Sequence, residues 1–211
     1  MLDASGNATI TAAQIDNGSS DNCAIASMTI DKTTFSCSDT GSNTVTLTVT
    51  DASGNTDTAT AIVTIQNNIL PTAVTQNITV QLDASGNATI TPTQIDNGST
   101  GNCSFTLSLD ITSFNCSNVG ANTVTLTVTD TSGNTNSATA IVTVEDSIVP
   151  NAIAQNIIVQ LDASGNATIT PAQINNGSSD NCSITLSLDT TVFSCADIGT
   201  NTVTLTASDT S

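Results

Sequence analysis

Asn122–Thr135 reads NTVTLTVTDTSGNT, recurs at Asn43–Thr56 as NTVTLTVTDASGNT, and begins again at Asn201 as NTVTLTASDTS. Val124, Leu126 and Val128 alternate with Thr123, Thr125, Thr127 and Thr129. That period of two sends apolar groups to one face and hydroxyls to the other, as in a half-buried strand. The run stops at Asp130-Thr131-Ser132-Gly133. Asp at the first position and Gly at the fourth suit a type I turn, with Gly free to take positive φ. Each copy therefore predicts a strand that enters a hairpin.

A second landmark, LDASGNATIT, starts at Leu2, Leu82 and Leu161. A period of about 80 residues is too long for a solenoid coil and suits a small domain repeated in tandem. The assignment is residues 1–68 for a repeat without its first strand, 69–147 for a complete one, and 148–211 for one without its last strand. In the complete repeat, Gln76–Leu82 alternates Ile78, Val80 and Leu82 inward, and Asp83–Asn87 turns into a return strand carrying Ala88 and Ile90. Cys103, Phe105, Leu107 and Leu109 form the next alternation, Phe114 and Cys116 another, and Ala138, Ala140, Val142 and Val144 the closing strand. Six or seven short strands with regular turn signals and no helical period predict an all-β fold. Its expected form is an antiparallel β-sandwich of immunoglobulin-like arrangement. Phe35, Phe114 and Phe193, each two residues before the second cysteine of a repeat, are expected in the cores. The first repeat has one extra residue between its cysteines, so a β-bulge near Ala26-Ser27 is needed to keep Met28 and Ile30 inward.

Pro71 and Pro150 stiffen the short linkers, so an extended rod is expected. Met1 falls where Gln81 sits in the second copy, which reads as an excised piece of a longer chain. The outer repeats leave sheet edges to be completed by further polypeptide or by strand exchange with identical chains.

Eighteen acids against one basic residue, Lys32, give a formal charge of −17 and exclude nucleic acid and anionic membrane as electrostatic partners. No apolar run is long enough to insert into a membrane. The six cysteines fall two to a repeat: Cys23 and Cys37, Cys103 and Cys116, Cys182 and Cys195. That arrangement predicts one disulfide within each repeat and an oxidising, extracellular location. Zinc is disfavoured, because the chain has no His and too few ligands per repeat.

With these residues in place, the repeat resembles the hyalin-repeat (HYR-like) immunoglobulin-like modules, closest to those arrayed in large surface adhesins of Bacteroidota, gliding adhesins among them. The resemblance rests on Asp21-Asn22-Cys23 and Asp180-Asn181-Cys182, Phe114 with Gly120, the Thr/Val run, Asp130-x-Ser132-Gly133-Asn134, and Asp146–Pro150. It spans the chain and implies a bacterial cell-surface stalk or filament without catalysis. Gly101 replaces the Asp in the second copy, and Asn67-Asn68 replace the acids of the first linker. The junctions are therefore not alike. Asp57-Thr58-Ala59, Asp146-Ser147-Ile148 and Asp189-Thr190-Thr191 resemble O-glycosylation sites of such proteins, which would modify Thr58, Ser147 and Thr190.

Enzyme chemistry has little to work with: no His, Arg or Tyr, one Lys, and acids placed singly in turns. Calcium is the cofactor to consider. In an immunoglobulin-like domain the loop at Asp96–Asn102 and the turn at Asp130–Asn134 share a pole with the incoming linker. Asp96, Asp130, Asn134, Glu145, Asp146, Asp180 and Asp209 supply the hard oxygen donors that Ca²⁺ takes. The richest junction combines Glu145 and Asp146 with Asp180 and Asp209. Each such turn is also explained as a hairpin without metal. The outward threonines are read as a solvated face with good β-propensity. Two functions follow: a structural stalk whose partners are further repeats or identical chains, or a module binding a carbohydrate or protein of unknown identity through its loops. Low aromatic content disfavours sugar binding.

Overall fold

The computed structural model describes residues 1–209; Thr210 and Ser211, the end of the third repeat, lie outside the described residues. The first repeat holds β1 (Asn7–Thr9), α1 (Ala12–Ile15), β2 (Ile25–Ile30), β3 (Thr34–Ser36), β4 (Gly41–Asp51) and β5 (Thr56–Ile65). The second holds β6 (Ile78–Gln81), β7 (Asn87–Thr89), α2 (Pro92–Ile95), β8 (Phe105–Leu109), β9 (Ser113–Asn115), β10 (Gly120–Asp130) and β11 (Thr135–Glu145). The third holds β12 (Asn166–Thr168), α3 (Pro171–Ile174), β13 (Thr185–Leu188), β14 (Val192–Ser194) and β15 (Leu205–Ser208). The expected all-β repeats are present. Sheets run β2-β4-β5 with β1-β3, then β6-β11-β10-β8 with β7-β9, then β13-β15 with β12-β14.

The chain divides into two compact units that do not coincide with the sequence repeats. One contains Met1–Gln76, Pro92–Asp110 and Thr125–Ala140; the other contains Asn77–Thr91, Ile111–Val124 and Ile141–Ser211. In the first, Leu2, Phe35, Val45 and Ile65 form a core to which Ala8 of β1 and Ile30 of β2 are added, so side chains of both sheets meet there. In the second, Ile169, Ile174, Phe193 and Leu205 do the same, with Ala167, Leu186 and Leu188 packed on them. Burial contributes roughly 1.5–3 kcal/mol for each large aliphatic side chain.

Alternation in β10 is complete, with Val124, Leu126 and Val128 wholly buried. Its turn also has the expected chemistry: the Gly133 N–H donates to the Asp130 carbonyl at 3.1 Å, and Gly133 has φ +85°. The bulge lies where the extra residue required it, between Ile25 and Ser27, after which Met28 and Ile30 pair with Val49 and Leu47. One pairing is parallel: β6 lies along β11, with Ile78 opposite Val142 and Val80 opposite Val144. In the third repeat no described strand offers that pairing. Residues 156–161 are not a strand, Ile158 is 93% exposed, and β15 starts only at Leu205.

The single helical turns α1, α2 and α3 were not anticipated. A hydrophobic period cannot register in four residues, although Thr11/Gln14 and Thr170/Gln173 form capping boxes.

The disulfide pairing differs from expectation. Cys37 bonds Cys103 and Cys116 bonds Cys182, each across a repeat boundary, while Cys23 and Cys195 are free and exposed. Cys23–Cys37, Cys103–Cys116 and Cys182–Cys195 are not bonded. The reason is visible in the first repeat. The Ala24 carbonyl accepts from Ala52, just past the end of β4, whereas the Asp39 carbonyl accepts from Asn43, near its start. Eleven residues of extended chain span roughly 35 Å, and a disulfide joins Cα atoms less than about 7 Å apart. Cysteines at opposite poles of one sandwich can meet only those of the next.

Candidate functional site

The first repeat boundary is built on Gly6, Cys37, Asn67, Asn102, Cys103, Asp130 and Asn134. Cys37 opens a 3-10 turn after β3, and Cys103 ends the loop before β8; their Cα atoms are 5.7 Å apart. Gly6 has φ +75°, and a Cβ there would lie 2.5 Å from the Asn102 carbonyl oxygen and 2.7 Å from Cys37 Sγ. Only glycine gives the docked loop room.

Amide groups hold the rest together. Asn102 Nδ2 donates to the Asp3 carbonyl at 3.3 Å and to Asn67 Oδ1 at 2.9 Å. Asn67 Nδ2 donates to Asp130 Oδ2 at 2.9 Å and to Asn102 Oδ1 at 3.2 Å. Asn134 Nδ2 donates to the Asn67 carbonyl and to Asp130 Oδ2. Asp130 Oδ1 accepts the backbone N–H groups of Ser132 and Asn134. Asp130 is 5% exposed and Asn67 equally so. Four N–H donors surround this buried carboxylate, which meets the requirement for keeping a charge out of water.

At the second boundary Cys116 and Cys182 are bonded with Cα atoms 5.6 Å apart, and a Cβ on Gly86 would lie 2.7 Å from the Asn181 carbonyl oxygen. Asn181 Nδ2 donates to the Asp83 carbonyl at 3.2 Å and to Asp146 Oδ1 at 3.1 Å. The scaffold is the same, but the polar residues are not. Asp146 stands where the first boundary has Asn67, Asp180 replaces Gly101, and Asp209 matches Asp130. Oxygens of Asp146, Asp180 and Asp209 lie within 4.8 Å of one another, and all three residues are half-buried. Asp146 Oδ2, Asp180 Oδ1 and Asn181 Oδ1 are buried with no hydrogen-bond partner. At the first boundary the equivalent amide oxygen, Asn102 Oδ1, accepts from Asn67. An aspartate in place of Asn67 removes a donor and adds an acceptor. Apart from the Asn181 amide, which donates to Asp146 Oδ1, the three carboxylates present one another with oxygen acceptors alone, which is the donor set of a hard cation. Ca²⁺ takes six to eight oxygens and tolerates irregular geometry, so these residues fit it, with water completing the shell.

The candidate residues thus separate. Asp146, Asp180 and Asp209 come together, as the junction reading requires. Glu145 does not join them: it is exposed and accepts from Gln81 Nε2 at 2.6 Å, because it ends β11 beside β6 and its side chain lies on the strand's outer face. Asp130 and Asn134 converge on the linker but are satisfied by amides. Asp96 caps its own loop, and hydrogen bonds from Ser99 hold its carboxyl below the usual range. Thr58, Ser147 and Thr190 are all exposed. Sequence reasoning set Asn67 in the linker and Asn102 in the facing loop but gave neither amide a part in holding the joint, and it missed Gly6. The signal was the repeated Asn-Cys dipeptide and the glycine shared by the LDASGNATIT copies.

A groove of about 590 Å³ in the third repeat is lined by Ile157, Ile169, Ile174, Phe193 and Val203. Apolar residues of this kind are core residues, and in the second repeat β11 brings Val142 and Val144 into burial. The groove is lined by the same kind of apolar side chains that the second repeat buries.

No protein-family profile and no curated protein matches the chain. Among solved structures, it overlaps an endo-fucoidan hydrolase of glycoside hydrolase family 107, MfFcnA9, with TM-score 0.24 and 12% identity over 56% of this chain and 28% of that one. It also overlaps cadherin domains 1–4 of protocadherin gamma B7, with TM-score 0.30 and 14% identity over 81% of this chain and 52% of that one. The chain spans about half or less of those structures' length.

Proposed function

We propose that this chain is a non-catalytic, load-bearing segment of an extracellular adhesin or filament on a bacterial surface, with Ca²⁺ at its second repeat boundary. The observation that carries the reading is covalent. Consecutive repeats are joined twice, once by the peptide linker and once by a disulfide between residues 66 apart in sequence. Two attachment points leave rotation about a single axis, and the amide network or a bound cation removes that as well. The same bonds limit extension under tension. The two enclosed segments take about 130 of the 211 residues out of the length that force can pull out.

At the second boundary, two carboxylate charges at such separations repel by roughly 1–3.5 kcal/mol per pair at effective dielectric constants of 80 to 20. A divalent cation converts that repulsion into attraction. Binding to the folded state alone raises stability by mass action.

Pulling single molecules from both ends tests the function. Reduction of each bond is expected to add about 220 Å to the contour length at full unfolding, at about 3.4 Å per residue. Equal contour lengths before and after reduction would remove the mechanical reading. For the metal, Ca²⁺ should raise the melting temperature and chelator reverse it, with Asp146→Asn abolishing the difference. Identical melts of the parent chain in both conditions would remove the cation.

A further inference from the structure

Two cysteines, Cys23 and Cys195, do not take part in these boundaries, and each sits in a loop or turn of the kind that forms one side of such a joint. Cys195 opens a 3-10 turn after β14 as Cys37 does after β3 and Cys116 after β9. The turn that docks beside it is also repeated. A Cβ on Gly165 would lie 2.6 Å from Cys195 Sγ, matching 2.6 Å for Gly86 with Cys116 and 2.7 Å for Gly6 with Cys37. At Gly6 and Gly86 the next neighbour is the carbonyl of an Asn-Cys loop; at Gly165 no described backbone lies within 4 Å. At the other end, Asn22-Cys23 is the Asn-Cys loop of the first repeat. Asp21 Oδ2 accepts the Cys23 N–H at 2.8 Å, as Asp180 Oδ2 accepts that of Cys182 at 3.1 Å, so the loop is already shaped for docking. Asn22 and Cys23 are exposed, whereas Asn102 is half-buried and Cys103 buried in the formed joint.

We propose that Cys195 of one copy of this chain bonds Cys23 of a second copy, reproducing between molecules the joint that links repeats within one. Asn22 would then donate to the Asp162 carbonyl, as Asn102 does to Asp3 and Asn181 to Asp83. The contact is head-to-tail and its two surfaces differ, so it propagates as an open filament instead of closing as a dimer. The bond forms by exchange with a small-molecule disulfide such as oxidised glutathione. One cysteine thiolate attacks the glutathione disulfide and releases the first glutathione. The partner's thiolate attacks the resulting mixed disulfide and releases the second, so two protein thiols are oxidised and one glutathione disulfide is reduced to two thiols.

The test is to incubate the purified chain with oxidised glutathione and resolve it on a non-reducing gel. The expected result is a ladder at multiples of the chain mass that collapses on reduction, with Cys195 linked to Cys23 in peptide maps. Cys23→Ser and Cys195→Ser are each expected to stay monomeric, while a mixture of the two stops at dimers. A chain carrying only glutathione adducts overturns the proposal. So does dimerisation of Cys23→Ser alone, which would mean random Cys195–Cys195 pairing. The same maps read Cys37–Cys103 and Cys116–Cys182, so failure here is distinguishable from failure of the internal joints.

Discussion

Asn67 and Asp146 occupy equivalent places at successive boundaries and have opposite electrostatic effects. The amide of Asn67 donates one N–H to the Asp130 carboxylate and the other to the Asn102 side-chain oxygen. Asp146 cannot donate, and it leaves acceptors facing acceptors. Asn67→Asp is therefore expected to lower the melting temperature in chelator by several degrees and to make the first boundary respond to Ca²⁺. A variant as stable as the parent in chelator would contradict the amide's role. Other aspartates act through backbone donors. The Thr46 N–H holds Asp31 below the usual carboxylate range, and the Thr204 N–H does the same for Asp189. Such groups bind fewer protons folded than unfolded, so their contribution is complete above the ordinary value near 3.8 and is lost as pH falls through the lower folded value. The melting temperature should fall below about pH 3.8, less steeply in Asp31→Asn/Asp189→Asn. An unchanged acid limb in that variant would exclude these two groups.

At the scale of elements, strand identity was legible because period-two alternation and Asp-x-x-Gly turns are local properties. The bulge was legible for the same reason: one inserted residue must leave the ladder or invert every side chain after it. Deleting Ala26 should give a regular β2 and a melting temperature at or above that of the parent; loss of folding would contradict the register. Leu126→Ala, at a position with no exposure, is expected to cost about 2–5 kcal/mol in denaturant unfolding. The cysteine pairing was misread because the count per repeat points inward, while the geometry points across the boundary. Only the paired strands show Cys23 and Cys37 at opposite ends of the eleven-residue β4. The acid cluster was legible in part. Loop and linker positions brought Asp146, Asp180 and Asp209 together, but strand parity took Glu145 out of the set. The amide substitution at Asn67 needed side-chain geometry that no local pattern carries.

For the whole molecule, the disulfides matter more as boundary joints than they would as clasps inside each repeat. Closing a loop of 66 residues is worth about 4 kcal/mol by the chain-entropy relation, against roughly 3 for the short loop within a repeat. Cys37→Ser/Cys103→Ser should accordingly lose up to about 4 kcal/mol and gain freedom at the first boundary, measurable by denaturant unfolding and by limited proteolysis near Asn67. The connectivity itself is the most direct test. Lys32 is the only tryptic site, but cleavage before aspartate cuts at Asp31, Asp110 and Asp189, between the two cysteines of every repeat. Under non-reducing conditions, mass spectrometry should find fragment 31–38 linked to 96–109 and fragment 110–129 linked to 180–188. Recovery of Cys23 bonded to Cys37, or of Cys103 bonded to Cys116, would contradict it.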